Sequence, residues 1–170
     1  VNAGRSLNLV AIAKSVDSRA SVTALPNAFQ QFDPPLAALT STSDGWTPYP
    51  IHTVPADGKW SDGKSVVLIG DAAHAMTPYA AQGAAMAIED AWVLAACLAR
   101  QRTEQAAALK EFQALRHPRV DRIARRSRLN KFAYHAGWPI APVRNALFRY
   151  RSESFRSGLD WIYAWDFKQP

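Results

Sequence analysis

The sequence predicts an α/β fold that gives way to helices in its second half, and three observations carry this reading. The aliphatic run Val66-Val67-Leu68-Ile69 ends at Gly70, the pattern of a strand buried on both faces. A segment opening at Gln82 or Gly83 places Ala87, Ala91, Leu94 and Leu98 on one helical face. From Glu104 onward, apolar residues return at three- and four-residue intervals rather than alternately. The 170 residues are 48% hydrophobic and 20% charged, which excludes a disordered tail or a fibrous repeat because ample apolar surface exists to build a core.

Taken in order, Leu7–Ala13 reads as an aliphatic strand. Ala24–Thr40 has the helical period, with Leu25, Phe29, Phe32, Leu36 and Leu39 in phase, and Pro34-Pro35 is expected to break it into two pieces. Trp46–Val54 is a strand weakened by Pro48 and Pro50, which suits a sheet edge. A polar turn over Pro55–Lys64 leads into the Val66–Ile69 strand. After the Gln82 helix, a second runs from about Glu104 to His135 with Ala108, Phe112 and Leu115 on one face and a kink expected at Pro118. Trp138–Pro142 is a break. The tail to Trp165 is helical in period, with Leu147, Tyr150, Phe155, Leu159 and Ile162 roughly aligned.

The net charge of +6 is concentrated: Arg100 to Lys131 holds ten Lys or Arg against three acids. Such a helix reads as a solvated basic face, with nucleic-acid binding as the rival, although no nucleic-acid fold signature accompanies it. Cys97 is the single cysteine, which excludes a disulfide framework, fits a cytoplasmic setting and reads as a small buried hydrophobe. No apolar run reaches the eighteen or so residues of a membrane span. His52, His74, His117 and His135 have no metal-ligand spacing, so no metal is expected. His74 reads as a residue that packs or hydrogen-bonds locally, and Glu89 with Asp90 as structural, because neighbours on a helix face different ways.

Gly58 to Ser65 formally matches the phosphate loop GxxxxGK[ST]. That loop works by feeding a helix N-terminus. Here a strand follows, so a hairpin-like turn is the better reading.

The richer pattern runs from Leu68 to Ala91. A strand ends at Gly70, and Asp71 follows at its carboxyl end, where open α/β sheets hold ligands. A carboxylate there can accept hydrogen bonds from sugar-like hydroxyls. Small residues at 72, 73, 75, 80 and 81 leave room for something flat. A helix then opens at Gln82-Gly83 with free amides and a partial positive charge. The layout suits a ligand with a polyol chain near Asp71 and an anionic ring edge near Gly83 and Ala84.

This segment resembles the signature LIGDAAHxxxPxxxQGxxxAxEDA of the flavoprotein aromatic hydroxylases of the para-hydroxybenzoate hydroxylase group, especially the salicylate and 3-hydroxybenzoate hydroxylase-like members. The resemblance extends to Gly4 with Leu7–Val10, to Trp60 with Gly63, to Arg116, Pro118, Arg119, Arg122 and Ser127, and to Asp160–Tyr163 with Asp166. It implies a C-terminal portion: the end of a substrate-domain sheet over 1–59, the last strand and helix of a Rossmann-like FAD-binding domain over 60–101, and a helical region over 102–170. It implies FAD as cofactor, with Gly70, Asp71, Pro78, Gln82, Gly83, Ala84 and Ala85 at its site. Asp71 would meet the ribityl chain, Pro78 would wall the ring, and the amides near Gly83 and Ala84 would face its N1 and O2. The implied reaction takes NADH or NADPH, then O2, and hydroxylates a salicylate-like aromatic substrate through a flavin C4a-hydroperoxide. No residue of this segment is assigned a catalytic role.

Many relatives have Gly-Gln-Gly and an Asn two residues later, where this chain has Ala81-Gln82-Gly83 and Ala85. The eight glycines form no GxGxxG, so the pyrophosphate loop is expected in a missing N-terminal segment, and the chain, which starts at Val1, reads as a piece that is inactive alone. Alternatives are a flavoprotein oxidoreductase or quinone-pathway hydroxylase of the same fold, or a basic helical nucleic-acid module. The C-terminal aromatics leave a homodimer open.

Overall fold

The structure, a computed structural model, describes residues 8–12, 34–41, 46–55, 58–150 and 157–166. Contacts group the chain into two units, Val1–Ile51 and His52–Pro170. In the first, α1 spans Pro34–Ser41. The proline pair opens this helix, since a fixed φ and a missing N–H cost nothing in a first turn. Beyond its end, Trp46 Nε1 donates to the Thr40 carbonyl (3.4 Å). The earlier part of the expected helix, 24–33, lies outside the described residues. Residues 8–12 and 46–54 form no strand.

In the second unit, the formal phosphate loop is a self-filled turn. The amides of Lys64, Ser65 and Val66 each donate to Asp62 Oδ1 at 2.9 Å. They hold that carboxyl below its ordinary range. The amides that a phosphate would need are thus committed to the loop's own aspartate. Ser61 and Val67 form an isolated antiparallel bridge, and Leu68 N–H donates to the Trp60 carbonyl (2.7 Å), so the turn is hairpin-like as expected.

The sheet itself is the main departure. The described residues contain no β-strand beyond that bridge, and Val66 and Leu68 are 57% and 41% exposed rather than buried. A doubly buried strand needs hydrogen-bonded neighbours and covered faces, and among the described residues this run has one bridge.

The rest is helical: α2 (Asp71–His74), a 3-10 turn (Pro78–Ala80), α3 (Gly83–Arg100), α4 (Gln105–His135), α5 (Ile140–Tyr150) and α6 (Asp160–Tyr163). Helix α3 and the 3-10 turn both pack on α4. Their core gathers Trp60, Met86, Val93, Cys97, Phe112 and Ile123, with Ile162 of α6. Trp60 is stacked on His117 with ring centroids 3.9 Å apart. Burial raises the Cys97 thiol above its ordinary pKa, in keeping with an inert core residue.

The buried face of α3 is rotated from the expected stripe. Met86, Glu89, Asp90, Val93 and Cys97 are buried, whereas Ala91 and Leu98 are exposed. Two carboxylates occupy inward positions, so an apolar count finds the wrong face. On α4 the expected face holds at Ala108 and Phe112, both buried, but Leu115 is 38% exposed and Arg116, one residue later, is buried in its place. Helix α4 continues through Pro118, and α5 begins at Ile140, inside the expected break. Of the aligned tail residues, Ile162 is buried while Leu147 and Tyr150 are exposed; Phe155 lies outside the described residues.

Phe112 is fully buried, so Phe112→Ala should cost about 3–5 kcal/mol. Leu115→Ala should cost about 1 kcal/mol or less, as for a surface-facing side chain. Urea denaturation of both variants checks this; equal losses would restore the face read from sequence.

Candidate functional site

The site begins where the chain turns at Gly70. Its φ of 57° and ψ of −141° lie in a region open to glycine, and a Cβ there would meet Ala87 Cβ at 3.0 Å. Glycine therefore lets the turn lie directly against α3. The Gly70 carbonyl accepts from the amides of Ala73 (3.0 Å) and His74 (2.9 Å), which folds α2 and leaves Asp71 exposed at its start.

Ala81, at φ 51°, closes the 3-10 turn by donating its amide to the Pro78 carbonyl. Gln82 is the buried residue preceding α3, and the first helical bond runs from Met86 N–H to its carbonyl (2.9 Å). No side chain caps this end, so the amides of Gly83, Ala84 and Ala85 form an open helix start with a partial positive charge. A Cβ at Gly83 would stand 3.8 Å from Asp71 Oδ1, so the Asp71 carboxylate lies beside that start. Gly70 backs the arrangement, and Gln82, Ala84 and Ala85 share the helix opening. Pro78 is exposed at the start of the 3-10 turn and connects to this group through Tyr79–Ala81.

Helix α4 grips that turn. Ser127 Oγ donates to the Thr77 carbonyl (2.6 Å) and lies 2.9 Å from Thr77 Oγ1, while Asn130 Nδ2 donates to the Tyr79 carbonyl (2.9 Å). The two residues flanking Pro78 are thus fixed by side chains three apart on one helix. Thr77, Tyr79 and Asn130 were not singled out by sequence. The three-residue spacing was the only signal, and the carbonyls it serves leave no trace in a sequence.

Beneath the site lies a buried charge network. Asp90 accepts from Gly70 N–H (2.9 Å), His74 Nε2 (2.6 Å) and Arg116 Nε (2.7 Å). Burial pushes the Asp90 carboxyl upward, but the hydrogen bonds of His74, Gly70 and Arg116 outweigh it and hold the pKa below 3.8. As an ionised carboxylate only accepts, the proton in the short contact belongs to His74 Nε2. His74 Nδ1 is buried without a hydrogen-bond partner. Arg116 also donates to Glu89 Oε2 (2.7 Å), and Arg119 pairs with both Glu89 oxygens (3.1 and 2.8 Å). Arg119 continues to the carbonyls of Trp161 (2.6 Å) and Ile162 (3.1 Å). Arg122 lies over the Trp161 ring, 3.8 Å from its centroid.

The expected solvated basic face is therefore corrected for these residues: Arg116 is 1% exposed and Arg119 is largely covered, because α3 presents two inward carboxylates. His74 bonds as expected, though to a partner sixteen residues away. Glu89 and Asp90 are structural, and they converge on one arginine despite their different directions. Among the described residues no group of three or more potential ligands could hold a metal, and no helix is long and apolar enough to cross a membrane.

An FAD-binding domain family matches residues 21–127, a span that contains the Gly70 turn, Asp71 and the opening of α3. The chain belongs to this family. It is 37% identical to the 3-amino-4-hydroxybenzoate 2-monooxygenase PtnB3 of Streptomyces platensis, over 82% of this chain and 35% of that protein. It is 39% identical to the 3-hydroxybenzoate 6-hydroxylase of Klebsiella oxytoca, over 63% of this chain and 27% of the relative. Among solved structures, a Klebsiella pneumoniae HpxO variant complexed with FAD superposes with a TM-score of 0.67 at 28% identity, over 88% of this chain and 40% of the other. The chain spans about a third of the length of the curated relatives it matches.

Because the folded Asp90 pKa is depressed, its contribution to stability is fully present above the unfolded value. It is lost as pH falls through the lower folded value. Stability should therefore decline below about pH 4, and Asp90→Asn should flatten that decline while lowering stability at neutral pH. Denaturation midpoints from pH 2.5 to 7 check it; an unchanged acid limb in the variant would refute the assignment.

Proposed function

We propose that this chain supplies the part of an FAD-dependent, NAD(P)H-using aromatic-ring monooxygenase that receives the ribityl chain and the pyrimidine edge of the flavin. The observation that carries the reading is the Asp71 carboxylate beside the open start of α3, inside the span matched to the FAD-binding family. The hydroxybenzoate names of the relatives support an aromatic, salicylate-like substrate. On this reading, 1–59 ends a substrate-domain sheet, 60–101 completes a Rossmann-like FAD domain around the 66–69 run, and 102–170 is a helical support.

The residues present suit the cofactor. Asp71 is exposed, acceptor-only when ionised, and placed to receive hydrogen bonds from polyol hydroxyls. Gly83 keeps the space beside the carboxylate free of a side chain. The Gly83, Ala84 and Ala85 amides offer donors to an anionic ring edge, in a helix-end field worth about 0.3–1 kcal/mol per charge and up to about 2 when partly buried. These donors are fixed before charge develops, so they need no reorganisation at that moment. Pro78, held through Thr77 and Tyr79, presents a rigid apolar wall. When bound, FAD supplies the hydride-accepting and oxygen-activating chemistry; this chain's residues orient it and stabilise its charge.

Asp71→Ala in the flavin-loaded protein should weaken FAD retention about tenfold or more, the scale of a lost charge-assisted hydrogen bond, with little change in the thermal midpoint of the apoprotein. Equilibrium dialysis and the yellow absorbance of the purified variant report it. A fully yellow variant with unchanged affinity would remove Asp71 from the site.

A further inference from the structure

The residues that face the proposed ligand are held by one that does not. Asp90 lies on α3 seven residues after Gly83, two turns or about 10 Å along the same rigid helix. Its carboxylate binds both ends of the α2 turn: the Gly70 amide before it and the His74 ring that closes it. Asp71 is the first residue between those two anchors. Because α3 carries both the open helix start and Asp90, the bonds from Asp90 set where Asp71 stands relative to that start.

We infer that Asp90, acting with His74, is a positioning residue for flavin binding: it locks the Gly70–His74 turn to α3 so that the Asp71 carboxylate and the Gly83–Ala85 amides present one fixed spacing to the cofactor. This rests on the flavin reading above. Asp90 is fully buried and touches Gly70, His74 and Arg116, so it acts through the turn and not by contact. All three partners approach as donors, and an amide at this position would have to turn its NH2 toward at least one of them. The turn is one short helix, held besides by the burial of Ala73 and by the Trp60 ring 5.0 Å from that of His74, and it yields more readily than the long helix α3.

Glu89 provides the internal comparison. It is equally buried, lies in the same network and pairs with Arg116 and Arg119, but bonds no residue of the Gly70–His74 turn. The experiment measures FAD dissociation constants, the visible absorption of bound flavin, and apoprotein thermal midpoints for wild type, Asp90→Asn and Glu89→Gln. All affinities are taken at one temperature below every transition. Asp90→Asn is expected to weaken FAD about tenfold or more and shift the flavin spectrum, while Glu89→Gln stays within about threefold despite a lowered midpoint. Equal weakening in both variants, or none in Asp90→Asn, overturns the inference.

If Asp90→Asn fails to fold, His74→Leu and His74→Gln decide. Gln can return an N–H near the position of Nε2, so it should restore affinity that Leu loses; equal affinities overturn the inference. An Asp71→Ala variant that binds FAD normally removes the flavin reading and the inference with it. Weakened binding in Asp71→Ala with normal binding in Asp90→Asn removes the inference alone.

Discussion

The helical half of this chain depends on one buried cation. Arg116 has its guanidinium between Asp90 and Glu89, with both carboxylates and the arginine nearly out of contact with water. Isolated, each charge would cost several kcal/mol to bury, and removing one partner of such a group typically costs about 3–5 kcal/mol. An apolar replacement of similar volume could fill the same space with as much stability. What it could not do is choose: a guanidinium has a fixed fork that satisfies two adjacent carboxylates in one rotation of α3 against α4. The same choice propagates outward, since Glu89 also receives Arg119, which binds carbonyls of α6. Register between three helices is thereby set by directional bonds rather than by greasy contact.

That rotational choice is what gives the site its shape. Turning α3 so that Asp90 faces Arg116 also places Ala87 against the Gly70 turn, where a Cβ on residue 70 would meet it at 3.0 Å. The same helix leaves its own uncapped start beside Asp71. From the other side α4 contributes Ser127 and Asn130, about three and four turns beyond Arg116, to hold the backbone on either side of Pro78. One long helix therefore supports both walls of the site, through Asp90 for the Asp71 turn and directly for the Pro78 turn. None of its supporting residues needs to touch the ligand.

Sequence made the backbone punctuation of this region legible and its internal wiring much less so. The chain's turn at Gly70 and the helix start at Gln82-Gly83 follow from small residues, a glycine and a period change, all of which are local, whereas the closeness of Asp71 to that start is visible only in the structure. The self-filled loop at Asp62 was foreseeable for the same reason, because a strand-like run follows Ser65 where a phosphate loop would need a helix. The expected face of α3, and Leu115 on α4, differ from the structure because periodicity counts apolar residues, and here Glu89, Asp90 and Arg116 take inward positions while Ala91, Leu98 and Leu115 are exposed. A buried ion pair looks like surface in a single sequence; only the partner twenty-six residues away reveals it. The 66–69 run shows the converse limit. Its composition declares a strand between neighbours, but pairing partners are a property of the surrounding sheet.

The basic composition shows how a global quantity can mislead about a local role. Ten cations against three acids between Arg100 and Lys131 resemble a phosphate-binding surface when counted. Yet Arg116 and Arg119 are committed to carboxylates of α3, and Arg122 to an indole face. Nucleic-acid affinity scales with the number of cations free to displace counterions from phosphates, so those held by Glu89 and Asp90 drop out of that sum. Their acids lie outside the counted segment, on the preceding helix. Two of the ten cations are answered in this way, by carboxylates of α3 inside the protein, while Arg102, Lys110, Arg125, Arg128 and Lys131 remain exposed.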